Sequence, residues 1–229
     1  VKVVATYTDG PNRANTAALG AATDAFVVRG EFRFGEASWK DLAYHTSKAG
    51  ADQGCLVGIA YQTYKSDTGS FEYGNVMAGE SSGWTIDATS RGDGWTFYAA
   101  YVATKGESLT AGVADVDSSG WLVQGGFLVS DNVELFAQFQ DGEVDNSTFT
   151  NGSNDMSAFR FGFNYWPTAG NNTLKWTTDI AWAQDGIANG TATSGIGSAD
   201  WTSTGNGWRA DSGTRDGQML LRTQLQLVF

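Results

Sequence analysis

The amino-acid sequence predicts an all-β protein, an antiparallel transmembrane β-barrel with about ten strands, forming a single domain over residues 1–229. Three observations predict it. Apolar and polar residues alternate with a period of two through segments of about ten to twelve residues. A tilted membrane strand needs ~9–11 residues, whereas strands of soluble sheets cluster near ~5–6. The connections alternate between short and long, and tryptophans gather toward the strand ends, as the turns, loops and aromatic girdles of outer-membrane barrels require.

The elements follow in order. Residues 1–8 open the alternation weakly. Over 24–35, Phe26, Val28, Gly30, Phe32 and Phe34 share one face, opposed by Val27, Arg29, Glu31 and Arg33. Val57, Ile59 and Tyr61 do the same in 54–65, and Trp84, Ile86 and Ala88 in 81–91. Segment 93–104 carries Trp95, Phe97, Ala99, Tyr101 and Ala103; segment 119–129 carries Trp121, Val123, Gly125, Phe127 and Val129. In 131–141 Val133, Leu135, Ala137 and Phe139 alternate with Glu134, Phe136, Gln138 and Gln140. In 156–166 Phe159, Phe161, Phe163 and Tyr165 oppose Arg160, Gly162 and Asn164. In 173–184 Leu174, Trp176, Thr178, Ile180 and Trp182 oppose Lys175, Thr177, Asp179 and Ala181. The last segment, 217–229, steps by twos from Met219 through Leu221, Thr223, Leu225 and Leu227 to Phe229.

Gly92-Asp93, Ser130-Asp131 and 167–172 are the expected short periplasmic turns. The polar stretches 9–23, 66–80, 105–118, 142–155 and 185–216 are the expected extracellular loops. Segment 36–53 lies on the turn side but is too long for a simple turn; with Trp39, Leu42 and Tyr44 it is expected to form a short helical or folded-back piece. Trp84, Trp95, Trp121, Trp166 and Trp176 sit close to turns or loops and are the expected interfacial girdle. A soluble sandwich is the competing architecture, but it has no reason to place tryptophans near strand ends.

Composition narrows the classes. Glycine is abundant at 30 residues, proline rare at 2, and no run of 18 apolar residues encodes a membrane helix. The first residues show no basic segment followed by an apolar run, so the chain reads as mature, processed or partial. Cys55 is single, which excludes an internal disulfide, and no metal or other cofactor is expected. A net charge of −11 argues against nucleic acid. The lone histidine, His45, has Asp41 four residues before it, but nucleophilic hydrolases need a fuller constellation and Gly-x-Ser-x-Gly is absent; no catalytic residue is assigned.

The terminal strand, with Leu225 and Leu227 leading to a final Phe229, resembles the signal read by the machinery that inserts outer-membrane barrels. Further stretches resemble the phosphate- and polyphosphate-selective porins: Gly120-Trp-Leu-Val-Gln-Gly-Gly-Phe127, Val133-Glu-Leu-Phe-Ala-Gln-Phe139, Phe161-Gly-Phe-Asn-Tyr165, Leu174-Lys-Trp-Thr-Thr-Asp179 and Gly217–Phe229. The resemblance covers roughly the last 110 residues well and 24–104 more loosely. It implies a trimeric, sixteen-stranded diffusion channel of the bacterial outer membrane, surrounded by lipid and lipopolysaccharide, of which this chain supplies the C-terminal strands. A ten-stranded barrel is the other possibility.

Strand parity assigns the lumen. Lys2, Arg29, Arg33, Arg91, Arg160, Lys175 and Arg222 face inward, against Glu31, Asp87, Glu134 and Asp179, so the wall leans basic while the rest is strongly acidic. Reversing strand 24–35 would put Arg29, Glu31 and Arg33 in lipid, at ~2–4 kcal/mol for a cation at the midplane. Basic side chains on a polar wall attract anions, and arginine adds a bidentate fork. Equally, these charges can pair across neighbouring strands and leave a weakly selective channel. The lysine-rich lining of the phosphate-selective family is missing, so phosphate specificity is not expected. Acidic loop residues such as Asp115, Asp117, Asp141, Glu143, Asp145 and Asp155 favour cations at the mouth and do not follow a calcium-loop pattern. A closed barrel acting as a surface scaffold is the alternative function.

Overall fold

The computed structural model describes residues 1–8, 22–66, 78–108, 115–145, 155–169, 173–185 and 217–227. They form one antiparallel sheet of ten strands, each paired to its neighbours in chain order. The strands are β1 (Lys2–Thr8), β2 (Ala22–Gly35), β3 (Gly54–Ser66), β4 (Ala78–Gly92), β5 (Trp95–Ser108), β6 (Val116–Ser130), β7 (Val133–Asp145), β8 (Asp155–Tyr165), β9 (Leu174–Ala183) and β10 (Met219–Leu227). All ten segments expected from the alternation are strands, and β4 to β7 run several residues further into the long connections than the alternation suggested. The tight turns fall one residue later than expected: Gly92 pairs with Trp95 and Ser130 with Val133, so Asp93-Gly94 and Asp131-Asn132 make the corners. Phe229, much of the long connections and residues 170–172 lie outside the described residues.

The sheet is not closed. Among the described residues β1 pairs only with β2 and β10 only with β9, so the complete cylinder expected from the sequence is not formed.

The two faces differ as the alternation requires, because successive side chains of a strand point to opposite sides. On the apolar face Phe34, Ile59, Phe97, Phe127, Phe161, Ile180 and Leu221 are all exposed. Among the described residues the buried hydrophobics are only Ala37, Leu42, Ala158, Trp166, Ala181 and Ala183, while Arg91, Glu134, Asn164 and Asp179 are buried. This inverts the pattern of a water-soluble core. Among the described residues no second layer covers the apolar face.

The exposed apolar positions form a slanting belt. Following ladder partners from Met219, the first apolar position of β10, the row runs through Trp182, Phe159, Phe139, Val123, Ala99, Ala88 and Val57 to Phe32 of β2. The belt on β2 begins at Phe26, about six residues earlier. With ~3.4 Å per residue and ~4.8 Å between strands, that slip corresponds to strands inclined by roughly 30° to the normal of the belt. Aromatic residues mark both margins: Tyr101 and Trp95, Trp121 and Phe127, Phe159 and Tyr165, and Trp182 and Trp176 are each six residues apart, about 20 Å along a strand. Near the loop-side margin Trp84 packs on Tyr101 at 5.1 Å, and Trp121 on Phe139 at 5.2 Å.

One glycine fixes how tightly the polar face packs. A Cβ at Gly162 would meet the Thr178 carbonyl oxygen at 2.5 Å, and both Asp179 Cβ and the Phe136 ring at 2.7 Å. Gly162→Val is therefore expected to cost about 1–3 kcal/mol by overpacking, read as a lower urea midpoint in detergent. An unchanged midpoint would mean that Phe136 moves aside freely.

Candidate functional site

The candidate site is a cavity on the polar face, bounded on one side by the tip of segment 36–53 and on the other by β8 to β10. The segment is the folded-back piece expected from its length. Just after Gly35 the N–H groups of Glu36 and Ala37 donate to the Gln53 carbonyl at 2.9 and 3.2 Å, closing its neck. Ser38 and Asp41 hold each other reciprocally, the Ser38 hydroxyl donating to the Asp41 carboxylate at 2.5 Å and the Asp41 N–H to the Ser38 hydroxyl oxygen at 3.2 Å. This reciprocal pair leads into the 3-10 turn Asp41–Ala43. Leu42 then turns under the segment and is 1% exposed.

The segment docks across the polar face by polar contacts. The Ser47 N–H donates to Glu134 of β7 at 2.6 Å. The Asn164 amide of β8 donates to the other Glu134 oxygen at 2.7 Å, and the Thr177 hydroxyl of β9 donates to Asn164 at 2.6 Å. Arg91 of β4 donates to the Asp41 carbonyl at 2.5 Å, and Arg33 of β2 to the Ala37 carbonyl at 2.6 Å. The Gln124 amide of β6 reaches the His45 carbonyl at 3.3 Å. At the outer rim the Gly50 N–H donates to Asp93 at 2.6 Å. Gly126 makes room for this docking, since a Cβ there would lie 2.5 Å from a Glu134 carboxylate oxygen. His45 lays its ring on Tyr98 at 4.4 Å. Burial pushes its imidazole below the usual value, with Asp87 pulling the other way, so it is neutral at neutral pH. Among the described residues the Asp41 carboxylate bonds to Ser38 and makes no hydrogen bond to His45.

The charged side chains expected to line a lumen all lie on the polar face, but they fall into three groups. Arg29 holds Asp87 through two bonds at 2.7 and 2.9 Å and Glu31 at 2.8 Å, with Lys2 3.5 Å from Glu31. Two cations and two carboxylates balance there. Arg33, Arg91 and Glu134 form the second group, and all three anchor segment 36–53; Arg91 and Glu134, at 3% and 1% exposure, are covered by it instead of facing open space, while Arg33 stays exposed. In the third group Asp179 sits between Arg222 at 3.1 Å and Arg160 at 3.5 Å, and Lys175 lines the same cavity without an ion pair among the described residues. This cluster keeps an excess of two positive charges. The cavity it shares with Tyr44, His45 and Thr46 measures about 1250 Å³.

Four of the five expected girdle tryptophans, Trp84, Trp95, Trp121 and Trp176, are exposed on the apolar face. Trp166 is not: it is 5% exposed, and its backbone exchanges bonds with Asn132 at 2.9 and 2.6 Å. It follows Tyr165 by one residue, so the alternation that turns Tyr165 outward turns Trp166 to the polar side. Closeness to a turn had suggested a girdle position, and parity overrides it. Trp182, exposed on the apolar face, stands at the opposite, loop-side margin. Leu225 and Leu227 are exposed on β10, whose outer edge is unpaired among the described residues.

No protein-family model matches the chain, and no curated protein matches it in sequence. The chain is an all-β protein whose described residues build one ten-stranded antiparallel sheet, apolar on its exposed face and charged on the other.

Proposed function

We propose that the sheet is wall of an outer-membrane porin, a passive channel for small hydrophilic solutes whose polar face borders water and whose apolar face meets lipid. The observation that carries this reading is the inverted burial, with rows of Phe, Ile, Trp and Leu exposed while Arg, Glu, Asn and Asp are covered. In hydrocarbon an unpaired strand edge leaves backbone groups unsatisfied, at several kcal/mol each. The free edges of β1 and β10 therefore belong in a closed wall, completed by each other or by further strands as in the sixteen-stranded architecture. Lipopolysaccharide and the barrel-insertion machinery are the partners this setting supplies, and a homotrimer is what the resemblance to the polyphosphate-selective porins implies.

The channel favours anions, and the preference comes from one region. The Arg29 group is balanced, Arg91 is covered, and Arg33 is exposed but held on the neck of segment 36–53, so the excess charge bordering the cavity is that of Arg160, Lys175 and Arg222 around Asp179. A reversal potential across a planar bilayer under a potassium chloride gradient is expected to favour chloride. Cation preference would overturn the anion assignment. The folding of segment 36–53 over the polar face favours a second reading, a closed scaffold barrel, and absence of conductance would select it.

A further inference from the structure

We infer that segment 36–53 is the constriction of the channel, entering from the short-turn side, with its 43–46 tip and the Arg160, Lys175 and Arg222 cluster as the two walls of the narrowest passage. This inference rests on the channel reading proposed above. Turn-side connections elsewhere in the sheet are two residues long at Asp93-Gly94 and Asp131-Asn132. Segment 36–53 is the long described exception, and its extra length is spent on the polar face. Its contacts run from Arg33 on β2 through Arg91, Tyr98 and Gln124 to Glu134 on β7, a span of five strand spacings or roughly 24 Å. Beyond Glu134 the docking stops and the cavity opens, bordered by β8 to β10.

The two walls differ chemically. The segment presents Tyr44, His45 and Thr46, none of them charged at neutral pH, while the facing strands present three cations and one carboxylate. A solute passing between them meets a neutral, hydrogen-bonding wall on one side and an anion-attracting wall on the other. That asymmetry makes the gap a size and charge filter for small anions with a polar body, such as short carboxylates. The docking is built to be permanent: Glu134 is 1% exposed and both its oxygens are occupied, one by the segment and one by Asn164. A flap that opened and closed would leave that carboxylate and the Ser47 N–H without partners at each opening.

The test uses the full chain in planar bilayers. Wild type is expected to conduct, and replacing residues 39–46 by a Gly-Ser-Gly link is expected to raise single-channel conductance at least twofold and weaken anion preference. Because that variant removes docking contacts and risks misfolding, Thr46→Cys provides a second measurement. It is made with Cys55, which lies on the apolar face, changed to Ser. A bulky water-soluble thiol reagent is expected to reduce the current of Thr46→Cys by half or more, and to leave the Cys55→Ser parent unaffected. If wild type conducts but the thiol reagent leaves the Thr46→Cys current unchanged, the segment is not at the constriction. If wild type does not conduct, the channel reading fails and the constriction falls with it.

Discussion

Replacing Glu134 with alanine is expected to release segment 36–53 from the sheet. The carboxylate takes the Ser47 N–H at 2.6 Å and the Asn164 amide at 2.7 Å, in a place that is 1% exposed. Alanine leaves both donors buried and unpaired, and each such group costs about 1–3 kcal/mol. The docked state should lose roughly 3 kcal/mol, enough to speed amide exchange at Ser47 by ~100-fold, since ~1.4 kcal/mol is a factor of ten. Glu134→Gln is the informative contrast. Its side-chain oxygen can still accept from Ser47, but its NH2 would confront the Asn164 amide. Asn164 can then turn over to offer its oxygen, with the Thr177 hydroxyl reversing to accept. Glutamine should therefore cost clearly less than alanine. Equal exchange rates in wild type and Glu134→Ala would show that apolar contacts such as Leu42 hold the segment unaided.

The second large effect is expected in selectivity. In the double variant Lys175→Glu with Arg222→Gln, the cluster changes from an excess of two positive charges to a net charge of −1, counting Arg160, Glu at 175 and Asp179. A unit charge about 7 Å from a passing ion shifts its energy by ~0.6 kcal/mol in water, so three changed charges amount to nearly 2 kcal/mol. The reversal potential should change sign from chloride to potassium at 0.1 M salt and move back toward zero at 1 M, where the screening length falls to ~3 Å. Arg160 is kept deliberately. Asp179 is 6% exposed, and stripping it of both arginines would strand a buried charge at about 3–5 kcal/mol. An unchanged reversal potential would mean that ions do not pass β8 to β10.

Most of the strand plan was legible in the sequence because alternation is a local property. Phe26, Val28, Phe32 and Phe34 sort from Arg29, Glu31 and Arg33 without reference to any other strand, and the same holds down to β10. Where a second local cue competed, parity was the better guide. Trp166 is close to a turn, but its odd step after Tyr165 decides its side. The pairing of Arg160 and Arg222 with Asp179 was one of two arrangements the charges allowed, and the ladder selected it by placing Asp179 opposite Arg222. The role of 36–53 was only half legible: its length announced a folded piece, while nothing in the spacing told which polar residues it would cover.

The residues alone thus determined two faces, apolar and charged, because a strand's side chains alternate whatever its neighbours do. Tertiary structure decided which charges face open space. Glu134 meets Ser47 across 87 positions of chain, and Arg91 meets Asp41 across 50. Such meetings depend on the lateral order and stagger of six strands, which a one-strand pattern does not encode. A lumenal charge count from parity treats Arg91, Lys175 and Glu134 alike; only folding buries two of them and leaves the third in the cavity.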